Sequence, residues 1–572
     1  MRFKFRFVLC FFLLYHFIMI SSGEGKETLS RKERFPIVGL EKQVNFWKKI
    51  YTQYTTNQAV IHDTNDLDII YEVIDFKKVF GDVKITDDMK RRLIKKTKEK
   101  YRDILKDIEK GAPNLVLNNT SDIELTTKKR VYELVKKDFT RAAENIRAQI
   151  GQRDKFEKGL RLSGLYIDKI KEIFREFDLP EELTVLPHVE SSFQINAYSK
   201  FGAAGIWQFT RSTGRLFMRI NYEVDERLDP IISSIAAAKL LKMNYEELGN
   251  WPLAITAYNH GLAGMKRAKR EIGSDEIVDV INGYNSRIFG FASENFYAEF
   301  LAALEVVKDY KRYFGDIDLE DPIRYEIFEL PEYINISTIT KYFNIHKEEI
   351  AFLNPALRIP VLSSQKLIPK GFKLRIPEGI GNKVSSFYAQ ISQEERYKGQ
   401  DRTTLISKIV KIDTNNDIPS PSPSSKKEEH NVYINKKEKS IEWIEVDHDE
   451  TLGHYAEWLK LPTQTIRNLN RLRYGKEIKI GQRIRLSFVN TTPQEFEEKR
   501  REYHKGIEED FFNAYFVENT IITALDAGQG VWDLCREIYE IPYWLLKKYN
   551  QDKDLFKLHK GESLVIPIVS TK

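Results

Sequence analysis

The stretch 189-VESSFQINAYSKFGAAGIWQF-209 holds one carboxylate, Glu190, and one cation, Lys200, among small, aromatic and neutral polar residues, in a chain that is 30% charged. A lone carboxyl group in such company suits acid chemistry. Neighbours such as Val189, Phe193, Ile206, Trp207 and Phe209 would desolvate it and disfavour its ionised form, and the partial negative charge at a helix C-terminus would act the same way. An acid that keeps its proton near neutral pH is what protonation of a glycosidic leaving oxygen requires. The competing reading of Glu190 is an exposed helix-end glutamate without a role.

Helix signals surround the carboxylate. In 178-DLPEELTVLPHVESSF-193, Pro180 suits a first helical position and Glu181 and Glu182 suit the positive N-terminal end, which places Glu190 late in the helix. Upstream, 86-TDDMKRRLIKKTKEKYRDILKDIEKG-111 and 131-VYELVKKDFTRAAENIRAQIG-151 space apolar residues three and four apart among charges and predict amphipathic helices. Residues 24–160 are therefore expected to be a helical N-terminal region. Downstream, 223-EVDERLDP-230 reads as a polar turn before the helix 231-IISSIAAAKLLKMNYEEL-248.

Four motifs follow one another in order. They are 190-ES-191 with Ser199 nine residues after the glutamate, 205-GIWQ-208, 257-AYNHG-261, and Tyr297 within 294-ENFYAEFLAAL-304. This series resembles the lytic transglycosylase family, goose-lysozyme-like enzymes that cut bacterial cell-wall glycan. Trp207 before Gln208, a long N-terminal segment and repeats behind the catalytic domain resemble the membrane-bound lytic transglycosylase D group within it.

The resemblance implies a one-carboxylate mechanism. Glycosidases generally use two carboxyl groups, and no second acid lies between 190 and 222. One suffices if the C6 hydroxyl of N-acetylmuramic acid attacks C1 of its own ring, with Glu190 as acid and then base, leaving a 1,6-anhydro end. The resemblance also assigns Gln208, Tyr258 and Asn259 to the glycan groove, places Ser199 beside the reacting sugar, and has Tyr297 orient Glu190. Read by residue type alone, Tyr258 and Tyr297 are core aromatics with satisfied hydroxyls, Gln208 caps a turn, and Asn259 followed by His260 and Gly261 is a helix exit. Trp207 is either core or sugar platform. His188 and His260 lack neighbours at metal-ligand spacing, so no metal and no cofactor are expected.

A repeat marks the C-terminal region. The stretches 446-VDHDETLGHYAEWLKLPTQTIRNLN-470 and 525-LDAGQGVWDLCREIYEIPYWLLKKYN-550 share a strand, helix, Pro-containing turn, helix outline, and Asn470 to Gly481 and Asn550 to Gly561 are both eleven residues. They resemble the LysM module, a βααβ fold that binds N-acetylglucosamine-containing glycan. Residues 326–358 with 370-KGFKLRIP-377 have the same outline and read as a degenerate LysM-like domain that packs on the catalytic domain. A Pro, Ser and Lys-rich run at 412–440 reads as linker.

The whole is expected to be mainly α: a lysozyme-like α-helical catalytic domain with a helical N-terminal extension, followed by small α+β LysM modules. The expected boundaries are a signal peptide at 1–23, the helical region at 24–160, the catalytic domain at 161–316, the degenerate module at 317–380, a linker at 381–440, modules at 441–489 and 519–569, and a connector at 490–518. The basic start and apolar run of 1–23 read as an export leader, with Cys10 lacking a lipid-attachment context; an uncleaved leader would give membrane association in the periplasm or cell envelope. If the leader is removed only Cys535 remains, which excludes a disulfide framework within the chain. Ninety basic against 84 acidic residues, a net of +6 spread along the chain, mark no nucleic-acid patch. Peptidoglycan strands are the expected partner, and no oligomer is expected. Two rival functions remain at this point: a lysozyme-type hydrolase, supported if an acid stands across the groove from Glu190, and an inactive wall-binding scaffold.

Overall fold

In the computed structural model the amphipathic spacing of 86–111 becomes the helix Asp87–Gly111. The structure describes residues 30–111, 123–397, 441–525 and 528–572. The leader at 1–23 and the linker run at 412–440 lie outside the described residues. Among the described residues no helix is long and apolar enough to cross a membrane. The chain divides into two units, one formed by residues up to Lys48 with Leu241–Ala302, the other by Lys49–Leu240 with Ala303–Lys572.

The first unit is helical. Asn250 caps the helix Trp251–His260 by accepting from the Leu253 N–H at 3.0 Å, and Gly261, at φ +89°, ends it. Its core stacks Trp251 on Tyr245 with ring centres 4.3 Å apart, and Phe35 packs on Phe300 at 5.2 Å.

The second unit begins with a feature the helical reading missed. Gln58–Asp63 is the centre of an antiparallel three-stranded sheet between Ile70–Asp75 and Ile146–Ile150. The spacing of 131–151 mimics a helix, but the chain forms the helices Ile123–Val135 and Phe139–Glu144 and then a strand, because Ile146–Ile150 pairs with residues almost ninety positions earlier. Tyr101, Ile104, Leu105 and Ile108 of Asp87–Gly111 form one core with Ala59, Ile61, Tyr71 and Ile74 of the sheet.

Three βααβ repeats follow. Each pairs its first and last strands antiparallel: Glu326–Glu329 with Lys373–Ile376, Ile441–Glu445 with Arg483–Ser487, and Tyr515–Ala524 with Ser563–Thr571. One asparagine closes all three in the same way. Asn354, Asn470 and Asn550 each end a second helix, accept the closing-strand N–H of Arg375, Arg485 or Val565 at 2.8, 2.6 and 2.9 Å, and donate back to that residue's carbonyl. Gly371, Gly481 and Gly561, all at positive φ, then turn the chain so that their N–H groups reach Leu330, Val446 and Leu525. The first repeat packs on the preceding domain: Val224 lies in its core, and Arg375 pairs with Asp229 at 2.6 Å.

Residues 381–397, read above as the start of the linker, belong to that first repeat. The helix Gly381–Gln390 buries Val384 and Tyr388, one turn apart, and Arg396–Tyr397 pairs with Tyr333–Ile334. Its polar composition hides two apolar anchors that suffice to dock one helical face.

Candidate active site

Glu190 is the last residue of a helix, as its signals predict. The segment runs as a 3₁₀ turn over Glu181–Val185 and an α turn over Leu186–Glu190, with Pro180 at the capping position and not inside the helix. Leu186, Pro187 and His188 are buried and anchor it, while Glu190 itself is half-buried. His188 is enclosed by Phe156 and Phe193, with ring centres 5.1 and 4.5 Å away, and burial pushes its imidazole down to about 3. It is a neutral core histidine.

The chain leaves Glu190 under strain. Ser192 and Phe193 both adopt left-handed backbone, φ +52° and +55°, a costly conformation for a residue with a side chain and rare for a bulky one. Surrounding contacts hold it there. Phe193 is fully buried, and Gly159 permits the approach, since a Cβ on it would stand 2.7 Å from the Ser192 carbonyl oxygen. The Ser191 hydroxyl donates to the Ile206 carbonyl at 2.9 Å and ties the glutamate's helix to the loop that carries Gln208.

That loop is fixed from within. Gly205, at φ +77°, packs so tightly that a Cβ would lie 1.9 Å from the Arg227 carbonyl oxygen. Trp207 is wholly buried, stacks on Phe174 at 5.6 Å and donates its indole N–H to Ser234 at 2.8 Å, so of its two readings the core one holds. Buried Arg227 donates to the carbonyls of Gly202 and Phe209 at 2.7 and 3.0 Å, bridging the loop's two limbs. The loop in turn presents its polar side chains. Ser199 Oγ accepts the Ala203 N–H at 2.9 Å, a bond that does not use its proton. Gln208, itself at φ +48°, donates its amide nitrogen to Gly205 and Ala197 at 2.8 and 3.4 Å, bonds that do not use its amide oxygen.

Glu190, Ser199 and Gln208 line one open groove of about 490 Å³. Sequence reasoning missed the rest of its wall. Thr56 reaches it from just before the strand Gln58–Asp63, and Gln152 and Lys155 from the cap and first turn of the helix Arg153–Ser163 that follows the sheet. Ala514 reaches it from the end of the helix Pro493–Ala514, and Tyr515 and Thr571 from the paired strands of the last βααβ repeat. No spacing rule could have placed residues so distant in sequence. Among the described residues lining the groove, Glu190 is the one acid.

The nearby acids are engaged elsewhere. Both Asp154 oxygens accept from Thr56, at 2.8 and 2.5 Å. Asp225 is fully buried with Arg227 at 2.9 and 2.7 Å; burial pushes its carboxyl up, but the guanidinium outweighs burial and holds it well below the usual carboxylate range. Asp229 accepts from Arg375 and caps the helix Pro230–Leu248 through the Ile231 and Ile232 N–H groups. The polar turn at 223–230 is thus a buried ion-pair element.

The other three site residues belong to the first unit. Tyr258 and Asn259 sit in the last turn of Trp251–His260, half-buried and exposed respectively, and Asn259 Oδ1 accepts from the Ser293 hydroxyl at 2.8 Å. Tyr297 is wholly buried, and its hydroxyl donates to the Pro36 carbonyl at 3.0 Å. His260 packs edge-on against Phe289 at 4.9 Å, and burial lowers its affinity for a proton. Among the described residues no cluster of three or more His, Cys, Asp or Glu is disposed to hold a metal ion.

Comparison with known proteins points the same way. Residues 170–281 match the profile of the transglycosylase SLT domain. The chain is similar to membrane-bound lytic murein transglycosylase D of Escherichia coli strain K12 and to the protein of that name in E. coli O6:H1. Each is 32% identical over 138 residues, 24% of this chain and 30% of the relative. The aligned stretch thus covers under a third of either relative's length. The stretch matched by that profile, 170–281, holds Glu190, Ser199, Gln208, Tyr258 and Asn259.

Proposed function

We propose that this protein is a peptidoglycan lytic transglycosylase that cleaves the MurNAc-β-1,4-GlcNAc bond without water and leaves 1,6-anhydroMurNAc ends, in cell-wall remodelling. The observation that carries this reading is the single carboxylate among the described residues of the groove. The Glu190 acid protonates the glycosidic oxygen as the bond to muramic C1 breaks. The carboxylate so formed takes the proton of the muramic C6 hydroxyl as O6 bonds to C1, which closes the anhydro ring and restores the acid. No water is consumed. Gln208, through its amide oxygen, and Tyr258 and Asn259 hold the glycan, and Ser199 donates near the reacting sugar; the Tyr297 hydroxyl, expected to orient Glu190, is instead engaged with the Pro36 carbonyl inside its own unit.

The βααβ repeats at 441–489 and 519–569 are LysM modules that bind the same glycan. The last one offers a sugar-sized aromatic face: Trp532 and Phe556 are exposed, and both rings flank Tyr543, at 5.3 and 5.5 Å. Tethering the enzyme to its substrate raises the local concentration of glycan at the groove. Such an enzyme works in the cell envelope.

The test is mass spectrometry of the sugars released from purified peptidoglycan by residues 24–572, beside Glu190→Gln. Anhydromuramic ends that vanish in the variant are expected. Reducing muramic ends would overturn the one-carboxylate mechanism in favour of a hydrolase. Wall binding with no released sugar would overturn enzymatic function in favour of a scaffold.

A further inference from the structure

The last βααβ repeat does more than stand behind the catalytic domain. Its entry helix, Pro493–Ala514, carries Asp510, and three groups from two other domains converge on that carboxylate. Arg211 pairs with one oxygen, Tyr198 donates to the same oxygen at 3.2 Å, and Arg358 of the first repeat pairs with the other at 2.6 Å. The cluster is nearly dry, with side-chain exposures of 10% for Arg211, 13% for Asp510 and 5% for Arg358. Burial of that degree makes the pairing obligatory, because neither guanidinium can shed its charge and each needs a counter-charge.

Two of these partners flank the groove loop. Tyr198 precedes Ser199, and Arg211 stands three residues beyond Gln208. Asp510 thus grips the loop at both limbs from outside, where Arg227 bridges it from inside. Five residues after Asp510 the Tyr515 hydroxyl donates to the Tyr198 carbonyl at 2.8 Å, and Tyr515 pairs across the sheet with Thr571. Both residues line the groove that holds Glu190. The far edge of this strand is also anchored, since Arg91 donates to the Val569 carbonyl at 3.2 Å and Thr571 donates to Asp87.

We infer that the last repeat is a fixed wall of the glycan groove and that Asp510 is a positioning residue for the loop bearing Ser199 and Gln208, so that the C-terminal region contributes to turnover and not only to tethering. This inference rests on the reading of the groove as a glycan-cleaving site. A tether alone acts on long or insoluble substrate, where effective concentration counts. A wall acts on any glycan that fills the groove.

The experiment uses the full mature chain as wild type, Asp510→Ala, Asp510→Asn and Tyr515→Phe. Two quantities are read: hydrogen exchange of backbone amides over 194–211 without substrate, and kcat and KM on a short soluble glycan oligomer beside insoluble peptidoglycan. Asp510→Ala should deprotect 194–211 and lower kcat on the short oligomer by about 10- to 100-fold, the scale of a displaced catalytic constellation, while the protein still pellets with the insoluble wall. Asp510→Asn, which keeps shape and loses charge, should fall between Asp510→Ala and wild type. Unchanged exchange over 194–211 would overturn the clamp; raised exchange with unchanged kcat on the oligomer would overturn the positioning role; raised kcat would make the last repeat a cover and not a wall. Should Asp510→Ala fail to fold, Asp510→Asn and Tyr515→Phe carry the same comparison. Failure of the enzymatic reading appears separately, as no anhydro product from wild type, and leaves the exchange measurement intact.

Discussion

Between residues 190 and 229 the chain places five carboxylates in two kinds of surroundings. Glu190 ends a short helix at the wall of an open groove, beside a loop whose serine and glutamine present polar atoms to the same space. Asp225 and Asp229 lie in the interior, 1% and 4% exposed, each paired with an arginine. Glu226 accepts the Arg219 N–H at 2.6 Å. An acid locked to a guanidinium cannot hand over a proton at neutral pH, because ionisation is what the pair stabilises. The difference teaches what the buried acids are for: Asp225 holds the loop on which the helpers of half-buried Glu190 sit, and Asp229 holds the first repeat and the start of the next helix. Asp225 orients Arg227, Arg227 spans Gly202 and Phe209, and Gln208 lies within that span.

Substitution should separate the two kinds. Glu190→Gln should lower kcat by about 10³-fold, the usual worth of a general acid-base group, while its urea unfolding curve overlays wild type. Asp225→Ala should do the reverse. It leaves Arg227 buried without its counter-charge and should cost about 3–5 kcal/mol of stability, read by urea titration, with activity falling only as the loop loosens. A stable but inactive Asp225→Ala protein would break the comparison and make Asp225 a second catalytic carboxylate.

Acid titration sharpens it further. His188, two residues before Glu190, is held near 3 by burial against an ordinary value of 6.5. The unfolded chain takes up a proton near 6.5 and the folded chain refuses it until about 3, so this stability is complete above pH 6.5 and is lost as pH falls towards 3. The slope for one such group is about 1.4 kcal/mol per pH unit. In His188→Gln that part of the slope between pH 6.5 and 3 should vanish, measured as the difference in unfolding free energy between pH 7 and pH 4 in variant and wild type. An equal slope in both proteins would mean that His188 titrates freely and that the floor beneath Glu190 is open to water.

Local signals made one half of this arrangement legible and left the other hidden. Pro180 and the acids at 181 and 182 foretold a helix with Glu190 late in it, and the asparagine-to-glycine spacing foretold the paired C-terminal repeats. Arg227 stands two residues from Asp225, but nothing local says that both are buried; Arg375, the partner of Asp229, is 146 residues away. Thr56, Lys155 and Thr571 come to the groove through a sheet and a repeat whose pairings are likewise long-range. The strand Ile146–Ile150 was misread for the same reason: its helix-like spacing is overruled by a partner at 59–63.

Trp207 gives the finest test, because it lies between the two kinds of surroundings. One residue before Gln208 of the groove, it is nonetheless fully buried, and its indole N–H depends on the Ser234 hydroxyl, which donates its own proton to the Pro230 carbonyl at 2.6 Å. Ser234→Ala removes the acceptor and leaves the indole donor in a dry interior, which should cost about 1–3 kcal/mol. Trp207→Phe loses the donor too, so adding Ser234→Ala to it should cost less than Ser234→Ala does alone; the shortfall, measured by urea titration of the four proteins, is the coupling of the pair. Turnover of soluble glycan should follow stability across the set. A drop in turnover with Ser234→Ala at unchanged stability would instead assign Trp207 to the groove as a surface that senses sugar, and the line between the acid that acts and the acids that support it would have to be drawn one residue further in.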